Sequence, residues 1–414
     1  MNPRHEGGRR RLLVLSSTYP RWAGDPEPGF VHELARRLGR RFDVTVIAPN
    51  APGALPREEM DGVRVCRYRY APSKLETLVN DGGIVTNLRS DRWKWALVPG
   101  FLLGQIWSTW RAIVRERPDV IHAHWLLPQG LVLAVIGVFV RIPPWLVTSH
   151  GADLFSLRGT FMAALKRFVV RQATAVTVVS TAMRHEMERL GISPGRVSVQ
   201  PMGVDVSSRF TPDARVRRSS DEILFVGRMV EKKGLRQLIE AMPLILAACP
   251  SAHLTVVGFG PEEPDRRAQA AALGLDDKVC FMGARSQDQL PELYRRAAVF
   301  VAPFIEASHG DQEGFGLVLV EALGCGCPVV AGTVPAVMDI LGGHPGSCVD
   351  ATDHQTLAGV VVDVLSNPHQ AREKAIRMRV ALARQVDWDS VAKHYAEVLD
   401  ASADLEDSPS GLRP

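Results

Sequence analysis

The chain has 414 residues, with 49 lysines and arginines against 45 aspartates and glutamates and a hydrophobic fraction of 46%. That length exceeds the ~250–300 residues at which a single hydrophobic core stops growing, so two domains are expected. A net charge of +4 is too small and too scattered for nucleic acid, and the composition is that of an ordinary globular protein. The mild basicity suits anionic small molecules or an anionic membrane surface.

Taken from the N-terminus, "MNPRHEGGRRRLLVLSSTYP" reads as a basic tail leading into a first strand. Its apolar run, 12–15, is too short for a signal peptide and no small-residue cleavage site follows it. Strands are then expected at LLVL (12–15), DVTVIAP (43–49), VRVCRY (63–68), DVIHAH (119–124), WLVTSH (145–150) and AVTVVS (175–180). The most apolar stretch, 126–140, is interrupted by Pro128 and Gln129 and ends at Arg141. It falls short of the ~20 residues that span a bilayer. A cytoplasmic protein with membrane contact only at its surface is expected.

Residues 93–111, WKWALVPGFLLGQIWSTWR, hold four of the eight tryptophans, with basic residues at both ends. They read either as an amphipathic segment at a bilayer interface or as an ordinary helix on the first sheet. A polar break at 207–222, SSRFTPDARVRRSSDE, is the linker candidate. Beyond it the alternation restarts, with strands at EILFVG (222–227), HLTVVG (253–258), VCFMGA (279–284), VFVAP (299–303) and PVVAG (328–332). Near-continuous apolar strands alternating with helices mean parallel sheets covered on both faces. The expected organisation is an α/β domain over 1–206, a second over 207–385, a helix at 386–402 that could pack back on the first domain, and a disordered tail at 403–414. The six cysteines, Cys66, Cys249, Cys280, Cys325, Cys327 and Cys348, read as free buried thiols of a reducing compartment. Cys325 and Cys327 have no second pair or histidine cluster to complete a zinc site.

In open parallel sheets ligands bind beyond the carboxyl ends of the strands. Three strand ends carry candidate chemistry. In "VGRMVEKKGL" (226–235), Arg228 and Lys233 flank a strand-to-helix turn whose free N–H groups and dipole favour an anion. A planar fork and a point charge together suit a diphosphate. In "DQEGFGLVLVEALGCGCPVV" (311–330), Gly314, Phe315 and Gly316 precede a helix. Glu313 sits outside that helix and Glu321 about two turns in, separated by about 12 Å at ~1.5 Å per residue. That distance suits two ends of one extended ligand, each carboxylate accepting from vicinal hydroxyls. In "SHGADL" (149–154), His150 could donate to a hydroxyl or a developing charge, with Asp153 as its partner.

These segments, together with "IHAHWLLPQG" (121–130) and "GVD" (203–205), resemble the retaining GT-B glycosyltransferases of family 4, the glycosyl transferases group 1, over nearly the whole chain. The resemblance implies two Rossmann-like doubly wound parallel-sheet domains facing a cleft, with the acceptor on the first and a UDP- or GDP-sugar on the second. It implies that Arg228, Lys233, Gly29 and Gly316 bind the donor diphosphate. It gives Glu313, Gly314, Phe315, Gly316 and His150 to the donor sugar, with Glu313 and His150 as the catalytic pair. Glu321 would hold the ribose hydroxyls, and Gly283, Ala284 and Arg285 the base. Two departures stand out: Pro28-Gly29-Phe30 replaces the family's paired glycines, and Met202 stands where an Asn is common.

The implied reaction is transfer with retention to a glycan or lipid-linked acceptor, in assembly of cell-surface polysaccharide or glycolipid, cytoplasmic or peripheral on the inner face of the membrane. No Asp-x-Asp stands at the expected strand end, so neither a metal nor a cofactor is expected; the nucleotide-sugar is a substrate. Two other readings remain open: a nucleotide-sugar epimerase on the same fold, and a non-catalytic donor-binding partner of another transferase.

Overall fold

The computed structural model describes residues 8–25, 29–79, 83–342, 344 and 346–407. They form two compact units. One comprises the chain up to Val179, Arg184–Gln200 and the chain from Val391 onward; the other comprises Ser180–Met183 and Pro201–Ser390.

The first unit is built on an eight-stranded sheet in the order β3-β4-β2-β1-β5-β6-β7-β8. Its strands are β1 (Arg10–Leu15), β2 (Phe42–Pro49), β3 (Arg57–Met60), β4 (Val63–Tyr68), β5 (Val120–His124), β6 (Trp145–Ser149), β7 (Ala175–Val178) and β8 (Val197–Val199). All pairings are parallel except β3 with β4. The central strands were expected because they are apolar throughout; Leu12 to Leu15 and Val120 to Ala123 are essentially fully buried. The REEM segment of β3 is polar, as befits an edge strand, and left no apolar run to read.

The second unit has a six-stranded, wholly parallel sheet in the order β11-β10-β9-β12-β13-β14. Its strands are β9 (Glu222–Val226), β10 (His253–Val257), β11 (Val279–Gly283), β12 (Val299–Ala302), β13 (Val329–Gly332) and β14 (Cys348–Val349). Counted within the unit, this is the 3-2-1-4-5-6 order of doubly wound nucleotide-binding sheets, whose direction of winding reverses between β9 and β12. Both faces are filled. Ile223, Phe225, Val299 and Val301 pack with Leu238, Met242, Leu357 and Val361 on one side. Phe300, on the other, stands edge-on to Tyr294 with ring centroids 5.3 Å apart.

The stretch 207–222 is not a linker. It belongs to the second unit, where Phe210 is buried against Tyr294. Arg295 donates to the carbonyls of Arg209 and Thr211, and Arg218 to those of Tyr294 and Ala297. Of the arginines in this stretch, Arg218 saturates loop carbonyls, whereas Arg215 is exposed and pairs with Asp213. The tail also differs from expectation. The last helix runs Trp388–Asp407, because Leu399 and Ala403 still face the core of the first unit; residues 408–414 lie outside the described residues. The cysteines are all free, but only Cys325 and Cys327 are buried, and Cys280 is exposed, since it sits on an edge strand.

Candidate active site

In the second unit the candidate residues meet at the reversal point. β9 ends at Val226, and Arg228, half-buried, follows two residues later. A short turn, Glu231–Lys233, leads through Gly234 into the helix Leu235–Ala248. Gly234 has φ +71°, and a Cβ there would lie 1.7 Å from the carbonyl oxygen of Pro303. Only glycine lets this turn press against the end of β12. The turn is then fastened to the loop after β12. The Ile305 N–H donates to the Lys232 carbonyl at 3.1 Å, Ser308 donates N–H and hydroxyl to Glu231, and Lys232 Nζ reaches Asp311 at 3.2 Å.

Inside this clasp Lys233 Nζ donates to Glu313 Oε2 at 2.7 Å and lies 4.7 Å over the Phe304 ring. Both charged side chains are only 15% exposed. The other oxygen of Glu313 accepts the N–H of Gly316 at 3.2 Å. Gly316, at φ +92° and ψ +49°, is the residue from which the helix Leu317–Gly324 starts. Glu313 therefore caps that helix from outside while holding the lysine. Burial works against its charge, but Lys233, Lys232 and the Phe315 N–H prevail and hold the carboxyl at about 2. The Gly316 N–H, assigned above to the diphosphate and sugar, is spent on Glu313. Phe315, assigned to the sugar, is buried at 3% exposure, and its N–H turns to Glu313.

Glu321 is the fifth residue of this helix, little more than one turn in rather than two, because residues 313–316 are not helical. It is buried, and Tyr294 Oη donates to it at 3.0 Å. Burial lifts its carboxyl to about 7 despite Tyr294, Gln287, Arg209 and Lys233, which all favour the charge. Gly283 ends β11 and accepts from the Gly258 N–H at 3.0 Å. Ala284 is exposed, and Arg285 folds back onto its carbonyl at 3.1 Å. Gln287, just beyond, is what links this strand end to Glu321.

In the first unit, His150 follows β6. Its partner is not Asp153, which accepts from the Leu126 N–H at 2.7 Å and the Ser149 hydroxyl at 2.8 Å. Asp153 serves the backbone because it lies in the first turn of the short helix Ala152–Phe155, turned toward the start of the β5 loop. His150 Nε2 instead meets His124 Nδ1 at 2.9 Å, with the rings nearly parallel. His124 stacks on His122 at 4.1 Å, and His122 stacks in turn on Tyr395 of the last helix at 5.4 Å. His122 Nε2 lies 2.8 Å from the Thr148 hydroxyl, which bonds Thr177 at 2.6 Å. Burial keeps all three imidazoles neutral, pushing His122 and His150 down to about 3 and His124 well below its usual range.

Phe30 and Trp125 complete the wall, with ring centroids 4.8 Å and 5.1 Å from that of His150. Trp125 has φ +76°, which a non-glycine residue adopts only where its surroundings force it, often beside a functional site. Gly29 precedes Phe30 and caps the helix Phe30–Leu38 with an ordinary φ of −87°. The expected phosphate-binding segment around it falls partly on residues 26–28, Pro28 included, which lie outside the described residues. His122, His124, Trp125, Tyr294 and Tyr395 were missed as site residues. The signal for two of them was present: His-x-His within an apolar strand puts both rings on one buried face.

Comparison with known proteins gives the family. Residues 210–379 match the family model described as Glycosyl transferases group 1, and residues 30–208 that of Glycosyltransferase Family 4. The chain is 30% identical over 410 residues to the GDP-mannose-dependent alpha-(1-6)-phosphatidylinositol monomannoside mannosyltransferase of Mycolicibacterium smegmatis, covering 94% of this chain and 97% of the relative. It is 35% identical over 401 residues to the D-inositol 3-phosphate glycosyltransferase of Acidothermus cellulolyticus, covering 88% and 83%. The fold matches the sucrose-phosphate synthase of Thermosynechococcus elongatus with a TM-score of 0.79 at 22% identity, over 97% of this chain and 100% of that one. Sequence and fold together make this chain a group 1 glycosyltransferase with the GT-B fold.

Proposed function

We propose that this enzyme transfers a hexose, with retention, from a UDP- or GDP-sugar to a glycan or lipid-linked acceptor, in assembly of cell-surface polysaccharide or glycolipid. The observation that carries the reading is the Lys233–Glu313 pair, held at the point where the second sheet reverses its winding. A carboxylate kept charged at about 2 beside a lysine offers the two groups that departure of a sugar from a diphosphate calls for. The lysine, with Arg228, meets the phosphate; the carboxylate faces the sugar carbon as positive charge develops there. Glu321 takes the ribose hydroxyls, His150 contacts the sugar near its anomeric carbon, and backbone of Gly283, Ala284 and Arg285 takes the base. Gly29 and Gly314 offer backbone to phosphate and sugar.

Arg228, Lys233 and the N-terminus of the helix Leu317–Gly324 supply the positive field that a divalent cation supplies elsewhere, so the reaction runs without a metal. The relatives named above, one GDP-mannose-dependent and acting on a phosphatidylinositol monomannoside, support a nucleotide-sugar donor and a lipid-linked acceptor. Such an acceptor places the protein in the cytoplasm and at the inner face of the membrane. Among the described residues no helix is long and apolar enough to cross a membrane.

The test is thermal stabilisation by UDP, GDP, ADP and TDP, with magnesium and with EDTA. A ligand at about 100 times its Kd adds ~2.7 kcal/mol to stability. A shift from UDP or GDP that EDTA does not change is expected. A shift that needs magnesium removes the metal-free mechanism, and no shift with any nucleotide removes the donor site.

A further inference from the structure

The outer side of the first unit carries an apolar stripe that the donor site does not use. The helix Val98–Glu116 buries Phe101, Gln105, Thr109, Ala112 and Ile113. Its opposite side shows Leu103 at 67% exposure, Trp107 at 59%, Trp110 at 37% and Val114 at 53%. Spacings of four, three and four residues place these in one line along the helix. At ~1.5 Å per residue the line is about 16 Å long. The two indole rings lie against each other at 5.1 Å, so their exposed area is one contiguous patch. Trp93 and Trp95 are exposed in the turn that feeds this helix, at 50% and 60%. Phe139, at 81%, ends the helix Leu131–Phe139 that packs beside it.

The charge around the stripe is mostly positive. Residues 92–117 hold five basic side chains and one acidic. Arg92, Arg115 and Arg117 are exposed, Arg111 is half-buried, and none of the four makes an ion pair among the described residues. Two copies meeting through this face would set arginine against arginine, which disfavours a symmetric dimer. A wholly polar anionic partner would leave the indoles in water. An apolar line ending in tryptophan, ringed by arginine and lying along the surface, is the pattern of a helix seated in the headgroup region of an anionic bilayer.

We infer that the face formed by Leu103, Trp107, Trp110 and Val114, with Arg111 and Arg115, docks this protein on a lipid surface that contains anionic phospholipid. This deepens the membrane-side part of the proposed function and rests on it for which acceptor is served. Its test uses neither donor nor acceptor, so the two fail separately.

The full chain is sedimented with vesicles of phosphatidylcholine alone and of phosphatidylcholine with phosphatidylglycerol, while tryptophan emission is followed. Binding to the anionic vesicles with a blue shift is expected. The double variant W107S/W110S should lower the partition coefficient about tenfold, since binding scales with buried apolar area. Arg111→Gln and Arg115→Gln should each lower it roughly fivefold. Unchanged melting temperature and unchanged far-ultraviolet circular dichroism show that the variants are folded. The inference is overturned by no binding, by binding equally tight to phosphatidylcholine alone, or by binding unchanged in the double variant. A dimer in sizing columns that the same double variant dissolves would overturn it in favour of a second copy.

Discussion

In the second unit the strand-end groups are ions that hold one another. Lys233 rests on Glu313, Lys232 on Asp311, and the Gly316 N–H on the second oxygen of Glu313. In the first unit the strand-end groups are three stacked imidazoles, neutral because burial denies them a proton. Both sites sit at the carboxyl ends of parallel strands, so the architecture is shared and the electrostatics are opposite. A site of paired ions can exchange one partner for a phosphate with little new desolvation. Neutral rings can pack and hydrogen-bond a sugar without adding a charge that the diphosphate would have to share. The contrast also runs within a single helix. Glu313 lies outside it, beside two lysines, at about 2; Glu321 lies inside it, against a phenol, at about 7.

The largest effect should come from breaking the ionic side. Glu313→Gln keeps an acceptor for the Gly316 N–H but removes the charge that Lys233 meets. Loss of one preorganised electrostatic contact costs about 10²–10³ in kcat. Arg228→Ala should lose a similar amount. Turnover of the nucleotide-sugar measures both, and near-normal turnover in both folded variants would mean that the charged cluster is only structural.

Next comes Glu321→Gln. The carboxyl is raised from 4.5 to about 7, so between these values the folded state keeps a proton that the unfolded state has lost. Stability therefore falls as pH rises through that window, by about 3 kcal/mol in all. The Gln variant should be more stable than wild type by up to that amount at pH 8, and equal to it near pH 4, in urea titrations. If Glu321 accepts ribose hydroxyls, affinity for an intact nucleotide-sugar should rise about tenfold from pH 6 to pH 8 in wild type, as a carboxyl near 7 ionises. It should be flat in the variant.

The histidines carry the opposite slope. His122 and His150 are lowered from 6.5 to about 3, so the unfolded state binds protons first as pH falls. Their stabilisation is complete above 6.5 and is lost toward 3. At pH 5 each costs roughly 2 kcal/mol. Hydrogen exchange compared at pH 7 and pH 5, corrected for intrinsic rates, should show β5 and β6 losing protection while β9 and β12 hold or gain it. Parallel changes in the two sheets would refute the contrast.

The smallest effect is that of Tyr395→Phe. It keeps the ring against His122 but removes the hydroxyl that bonds Thr148 and Thr177. About 1 kcal/mol of stability should be lost, the usual net worth of one hydrogen bond.

The interior strands were legible because parallel strands buried on both faces are apolar throughout, as LLVL and VFVAP are. So were the strand ends that carry Arg228, Lys233, Glu313 and His150. What touches what was not legible. Lys233 and Glu313 are 80 residues apart, and the imidazole stack joins two strands to a helix that arrives near the end of the chain. Asp153 was paired with His150 on proximity in sequence alone. Edge elements such as β3 and β14 were invisible because short or polar segments carry no periodicity.

That final helix has a consequence for how the molecule is made. Val391, Tyr395 and Leu399 are almost wholly buried, and Arg10 at the start of β1 bonds Asp400 at 2.8 Å. The first unit thus draws its opening strand and its closing helix from opposite ends of the chain, whereas the second is continuous but for Ser180–Met183. On the ribosome, the unit begun first is completed last: residues 391–403, which close its core, emerge only after the second unit has its full length available to fold.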